Sequence, residues 1–225
     1  MIDRADAMMP PFADESFDHV LITPAHHDHL GALPVVLQQF PHAVVHMTKA
    51  TRDLAEFLLR ASARLQRRRI REGSSKAVPL FSEEELEYYA HLYLGHDFEQ
   101  TFNVTGVRGG PEVKASFHWS GHVLGAAGVL LEQTGDDPRR LFYTSDINLR
   151  PQTIVPAAHL PEAPVDVLVL ESTLGADTGD RHEIDRTSGP TETDDALLRL
   201  RELHHDLRQP LAAFPFGELL GDAEV

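Results

Sequence analysis

The sequence predicts an α/β fold. Short apolar runs of strand character alternate with stretches whose apolar residues recur at helical spacing. Several of those runs stop at residues that carry chemistry rather than at plain turns. With 42% hydrophobic residues in 225, the chain can bury a proper core and is long enough for one generous domain, or one domain and part of another. No cysteine is present, so any metal site must be built from histidine and carboxylate. The formal net charge of −15, from 35 acids against 20 bases, opposes non-specific adhesion to nucleic acid. A nuclease built on this chain would have to concentrate positive charge locally. No apolar run approaches the roughly 18–20 residues of a membrane span, and no charged-then-apolar leader opens the chain. The expectation is a cytoplasmic protein without a membrane partner.

The first strand is Val20-Leu21-Ile22, and Leu30, Leu33, Leu37 and Phe40 mark the helix that follows. Between them His26, Asp28 and His29 occupy a tight segment. Ligands at the carboxyl end of a buried strand are held by the sheet, and a turn there lets several side chains point into one cavity instead of alternating across a pleat. Imidazole nitrogen with carboxylate oxygen suits zinc (Zn2+), or manganese and iron where oxygen ligands dominate. Most of the 14 histidines must be ordinary residues. Three histidines and an aspartate within four positions, between a strand and Leu30-Gly31-Ala32-Leu33-Pro34, mark a segment descended from a metal site.

Residues 43–48 read as a second strand, and a long helix follows to about Arg71. Leu54, Phe57, Leu58, Ala61 and Leu65 form its predicted buried stripe. Arg60, Arg64, Arg67, Arg68, Arg69 and Arg71 crowd its second half, either as a solvated face that complements the helix dipole or as a contact that tracks an RNA backbone. After a loop at 73–77, Ser82 with Glu85 three residues on is a capping-box pattern, and Leu86, Tyr89 and Tyr93 mark the packed side of that helix. Residues 113–118 are a strand leading to Ser120-Gly121-His122-Val123-Leu124-Gly125-Ala126-Ala127. Residues 128–132 and 141–144 pair across the turn Gly135-Asp136-Asp137-Pro138, and the second of them runs into Tyr143-Thr144-Ser145-Asp146. Residues 165–171 form a buried strand ending at Glu171. A polar helix is predicted over 191–208 and an apolar run over 211–217. No internal repeat or low-complexity segment appears.

Taken together, these segments resemble the metallo-β-lactamase superfamily and, within it, the β-CASP branch of RNA-processing nucleases, which includes polyadenylation-endonuclease-like and, more distantly, ribonuclease J-like proteins. Thr23 to Pro34 is similar to the second superfamily motif, His-x-His-x-Asp-His. Pro24 stands where the family has its first histidine, and it offers neither a side-chain ligand nor a backbone N–H. Gly121-His122-Val123-Leu124-Gly125-Ala126 resembles the third motif, and Tyr143-Thr144-Ser145-Asp146 the fourth, Tyr-Thr-Gly-Asp. Glu171-Ser172-Thr173-Leu174-Gly175 looks like the β-CASP signature Glu-Ser-Thr-Tyr-Gly, and Asp180-Arg181-His182 matches the Asp-Arg-x-His that often follows. Ile2-Asp3 reads as a remnant of the first motif or as a plain disordered start.

The resemblance implies a four-layer αββα sandwich, two mixed sheets facing each other with helices outside and the site at one edge. It implies a metallo-β-lactamase-like domain over 1–190 and the start of a truncated β-CASP-like domain over 191–225, so that the fold would be incomplete at both ends. Carried over, His26 and His122 would hold one metal, Asp28 and His29 a second, and Asp146 would bridge them. Asp28, Asp146 and Glu171 would be the catalytic carboxylates, Glu171 by supporting the ligands, and Asp3 would orient a ligand or the bridging water. The implied activity is RNA phosphodiester cleavage by two-metal hydroxide attack, with zinc or manganese as cofactor, RNA as substrate and a homo-oligomer as a possible assembly. Two alternatives stand beside it: a catalytically impaired, truncated homologue that serves as a binding or scaffold protein or is a gene fragment, and a small-molecule metallohydrolase.

Overall fold

The computed structural model describes residues 16–75 and 78–171. Asp3, Ser172, Thr173, Asp180, Arg181, His182 and the expected elements over 191–217 lie outside them. Along the described chain run β1 (His19–Leu21), α1 (His27–Leu30), α2 (Leu33–Gln39), β2 (Val44–Thr48), α3 (Lys49–Arg71), α4 (Glu83–Tyr89), β3 (Tyr93–His96), β4 (Phe102–Asn103), β5 (Val113–Trp119), β6 (Ala127–Gln133), β7 (Arg139–Tyr143) and β8 (Val167–Val169). The architecture is mixed α/β. Tyr93, expected on a helix, opens β3 instead, and β3 and β4 were not legible in the sequence.

Two sheets form. The first has the order β1-β2-β3, with both pairs parallel: His19 lies beside Val44 and Val45 beside Tyr93. The second has the order β4-β5-β6-β7-β8, antiparallel except for the parallel pair β7 and β8. Mixed sheets were expected on both sides, but among the described residues only the second is mixed. Helices intervene between the strands of the first sheet, and helical crossovers make parallel neighbours. The strands β6 and β7 are joined by the Gly135-Asp136-Asp137-Pro138 turn, with Gly135 at φ +118°, which returns the chain antiparallel.

The helices cover one face of the first sheet. Leu33 and Leu37 of α2, Ala55, Leu59 and Ala63 of α3, and Leu86 and Tyr89 of α4 pack with Val45 and Met47. The other face meets the second sheet, where Leu21 packs against Phe117, Ala127 and Val129. Leu37 and Phe117 have no solvent exposure, and burial of such a side chain contributes about 1.5–3 kcal/mol. The far face of the second sheet, carrying Leu130 and Phe142, is covered by Leu160, Val165, Ile147 and Leu149 from a segment, 147–165, that contains no helix.

The buried stripe of α3 differs from the sequence expectation. It runs Thr51, Ala55, Leu59, Ala63, while Phe57 is 69% and Leu65 45% exposed. Small side chains let α3 approach the sheet and the Gly125 loop closely, so the face that packs is not the one with the largest apolar residues. Thr48 caps the helix by accepting from the Thr51 N–H at 3.1 Å, and the hydroxyls of Thr48 and Thr51 both donate to the Gly125 carbonyl, at 2.7 and 2.8 Å. On its other side α3 meets α4: Arg64 lies 2.9 Å and Arg67 3.4 Å from Glu83 in its first turn, and Arg60 3.1 Å from Glu87. Arg68 pairs with Glu72. Four of the six arginines thus lie beside acids of this chain, which favours the solvated-face reading over an RNA contact.

A histidine ladder runs across the first sheet and reaches the second through one hydrogen bond. His19 Nδ1 lies 3.0 Å from His46 Nε2, His46 Nδ1 lies 2.9 Å from His96 Nε2, and His19 Nε2 reaches the Thr105 carbonyl beyond β4 at 3.2 Å. Phe102 of β4 stacks on His96 and His46, with ring centroids 3.7 and 4.9 Å apart. Burial, and then His19 and His96, push His46 down to about 4.

Candidate metal centre

The predicted ligands come together at the carboxyl ends of strands from both sheets. β1 leads to His26, which is extended at φ −81°, ψ 153° and serves as the N-cap position of α1. The single turn of α1 then presents Asp28 and His29. β5 leads to His122 and β7 to Asp146. Asp146 Oδ2 is the common point: it lies 3.8 Å from His26 Nδ1, 3.2 Å from His29 Nε2 and 3.6 Å from His122 Nε2. The rings of His26 and His122 meet edge to face with centroids 4.8 Å apart. His29 Nε2 also lies 3.5 Å from Asp28 Oδ2, so His29 stands between the two carboxylates. The Asp28 side chain is 79% exposed, against 27% for Asp146.

Backbone geometry at two glycines brings the His122 loop into place. Gly121 sits at φ +74° and packs so tightly that an added Cβ would lie 2.1 Å from the Asn148 carbonyl oxygen. Gly125 sits at φ +80°, and its Cβ would lie 2.7 Å from the Thr51 nitrogen. Both need the left-handed conformation and a side chain no larger than hydrogen. Gln152 closes the loop from outside, its amide donating to the carbonyls of Gly121 and His122 at 2.7 and 2.8 Å. Glu171 follows β8, and its N–H donates to Thr144 Oγ1 at 3.2 Å, which links the end of β8 to the Asp146 segment.

The donor chemistry fits a divalent cation. Among the described residues, His26, His122 and Asp146 form the one group of at least three such side chains whose ligand atoms all lie within 4.8 Å of one another. Two imidazoles and a carboxylate are a ligand set that zinc accepts while leaving a position open. Pro24 is fully buried and contributes no donor. Two residues that the sequence reading did not single out also shape the site. Thr23 and Ser145, 6% and 1% exposed, join their hydroxyls at 2.7 Å. They stand 122 positions apart, and no local pattern could have paired them.

No family model matches the chain. Individual proteins do. The chain is 30% identical over 167 residues to transcription termination factor FttA of Methanocaldococcus jannaschii, covering 74% of this chain and 24% of that protein. It is 31% identical over 170 residues to cleavage and polyadenylation specificity factor subunit 3-I of Arabidopsis thaliana, covering 73% and 22%. It is 33% identical over 177 residues to endoribonuclease YSH1 of Saccharomyces cerevisiae, covering 75% and 21%. The chain therefore spans about a quarter of the length of the relatives it matches. The matches cover about three quarters of the chain; the chain belongs to the β-CASP branch of the metallo-β-lactamase superfamily.

Proposed function

We propose that this chain carries the metal-binding part of an RNA phosphodiesterase. The observation that supports the reading most strongly is the convergence of His26, His29 and His122 on one oxygen of Asp146. His26, His122 and Asp146 would hold one divalent ion, with zinc favoured by the nitrogen donors and manganese the alternative. Asp28, His29 and the same Asp146 would hold a second. When bound, such ions supply Lewis-acid activation of water and of the phosphodiester. The chain's own residues orient that chemistry. Asp146 presents its carboxylate from β7 to ligands of both sheets, Gly121 and Gln152 hold the His122 backbone, and the Glu171 N–H steadies Thr144 beside Asp146. The four-layer sandwich, the domain division at 190 and a cytoplasmic RNA substrate are the finer parts of this proposal. The endoribonuclease YSH1 relatives, named for RNA cleavage, support RNA over a small-molecule substrate.

A second reading is that the chain binds without cleaving. Pro24 favours it, because a buried ring without a donor occupies the position of a family ligand. Cleavage of a labelled RNA by the purified chain with added zinc or manganese, compared with Asp146→Ala, separates the two. Metal-dependent cleavage abolished by the substitution supports the phosphodiesterase. Zinc binding lost in Asp146→Ala, with no cleavage by either protein, supports the binding reading.

A further inference from the structure

Ser145 occupies a conformation that serine rarely adopts. Its φ is +53°, in the left-handed region, at a position where the motif it resembles carries glycine. A side chain with a Cβ persists there only if the surroundings hold it. They do so through a chain of hydrogen bonds. Thr144 Oγ1 accepts from the Glu171 N–H at 3.2 Å and donates to the Ser145 carbonyl at 2.9 Å, while Ser145 Oγ donates to Thr23 Oγ1 at 2.7 Å. Thr23, Thr144 and Ser145 are all buried. Thr23 lies three residues before His26 on the chain leaving the first sheet, and Ser145 immediately precedes Asp146 on the chain leaving the second.

We propose that the Ser145–Thr23 hydroxyl pair is a positioning device, present in place of the flexibility of glycine, that locks the Asp146 carboxylate against His26 and so pre-organises the metal site. The inference rests on the metal-site reading above. One backbone contact already closes the seam without it: the Thr23 carbonyl accepts from the Ala127 N–H of β6 at 3.1 Å. What the hydroxyl pair adds is a fixed distance between the two peptide segments that carry His26 and Asp146. A glycine at 145 would reach the same φ more easily but would leave that distance to the backbone alone. With Pro24 supplying no donor, fewer side chains share the task of holding the ion. The placement of those that remain then weighs more on affinity.

The test is calorimetric titration of zinc into the full 225-residue chain, freed of metal beforehand, with Ser145→Ala, Ser145→Gly, Thr23→Val and the double variant Ser145→Ala/Thr23→Val. Loss of one buried hydroxyl bond weakens zinc binding by about tenfold in each single variant. The double variant is no weaker than either single one, because both remove the same bond. Thr23→Ser, which keeps the hydroxyl, retains wild-type affinity, a rescue that loss of packing alone would not produce. If Ser145→Ala fails to fold, Thr23→Val reads the same bond from the other side while keeping the shape of the side chain. Wild-type affinity in Ser145→Gly, or additive losses in the double variant, would overturn the lock. Asp146→Ala serves as the reference for the site itself. Zinc binding unchanged in that variant, or absent in the wild type, would overturn the metal-site reading and the lock with it. Loss of binding in Asp146→Ala alone would sink only the lock.

Discussion

Lowering the pH from 8 to 5 is expected to destabilise the fold by about 2 kcal/mol through one side chain, His46. The ladder's hydrogen bonds have only one consistent direction. The Thr105 carbonyl can only accept, so His19 Nε2 donates to it, and His19 Nδ1 is left to accept from His46 Nε2. His46 Nδ1 in turn accepts from His96 Nε2. A proton added at His46 Nδ1 would face the His96 N–H and break that bond, in a residue only 3% exposed. Burial and the two neighbouring imidazoles accordingly hold His46 at about 4, below its ordinary 6.5. Because the folded form binds this proton less readily than the unfolded form, the stabilisation is fully present above about 6.5 and is lost as the pH falls toward about 4. The whole window is worth about 3 kcal/mol, of which about 2 kcal/mol has gone at pH 5. Urea denaturation at several pH values, for the wild type and His46→Phe, reads this directly. The variant keeps a flat ring against Phe102 and should be weaker at pH 8 but lose less on acidification. A titration of His46 near 6.5 by NMR, or parallel pH profiles for the two proteins, would refute the reasoning.

Gly125→Ala should destabilise by about 2–4 kcal/mol in urea denaturation, because the new Cβ strains a left-handed residue and meets the N-terminus of α3; an unaffected midpoint would show that the loop is not docked there. Replacing Arg64 and Arg67 by Ala should shift stability by less than about 1 kcal/mol, since exposed pairs contribute little, and should leave the salt dependence of any RNA binding unchanged. A flatter salt slope would return these arginines to the RNA interface. After dialysis the chain should retain fewer than two equivalents of zinc by atomic absorption, as Asp28 is exposed and Pro24 offers no ligand. Two tightly held ions would contradict this.

The site was readable in the sequence where its chemistry is local. His26, Asp28 and His29 lie on one turn after a strand and stand out as a cluster, whereas His122 and Asp146 are marked only by their resemblance to family motifs; the structure brings His26, His29 and His122 to Asp146. Capping at Ser82 was legible for the same reason: the bonds between Ser82 and Glu85 are made within one helical turn. The α3 stripe was misjudged because the apolar period alone does not say how closely a helix approaches its sheet, and close approach selects Thr51, Ala55 and Ala63 over Phe57 and Leu65. The ladder was invisible for a stronger reason. His19, His46 and His96 come from three strands, and only the parallel register of β1, β2 and β3 sets them diagonally, each two positions on from the last, on one face.

Stability and metal binding in this molecule share one physical basis, the seam between the sheets. His26, Asp28 and His29 leave the first sheet, whereas His122 and Asp146 leave the second, so an ion held by His26, His122 and Asp146 would cross-link the two. The histidine ladder of the first sheet reaches the second through the single His19–Thr105 hydrogen bond and the stacking of Phe102 on His46 and His96. A ligand that binds only the folded form stabilises it by about 2.7 kcal/mol at 100 times its dissociation constant, comparable to what acid removes through His46. By the reciprocity of linkage, each device must act on the other wherever the seam opens locally, without global unfolding. Zinc at saturating concentration should therefore shift the acid-induced opening to lower pH by slowing amide exchange in β1, β2 and β5 together. Exchange slowed only in the turn of α1 would mean that the ion braces its own ligands and leaves the seam as it was.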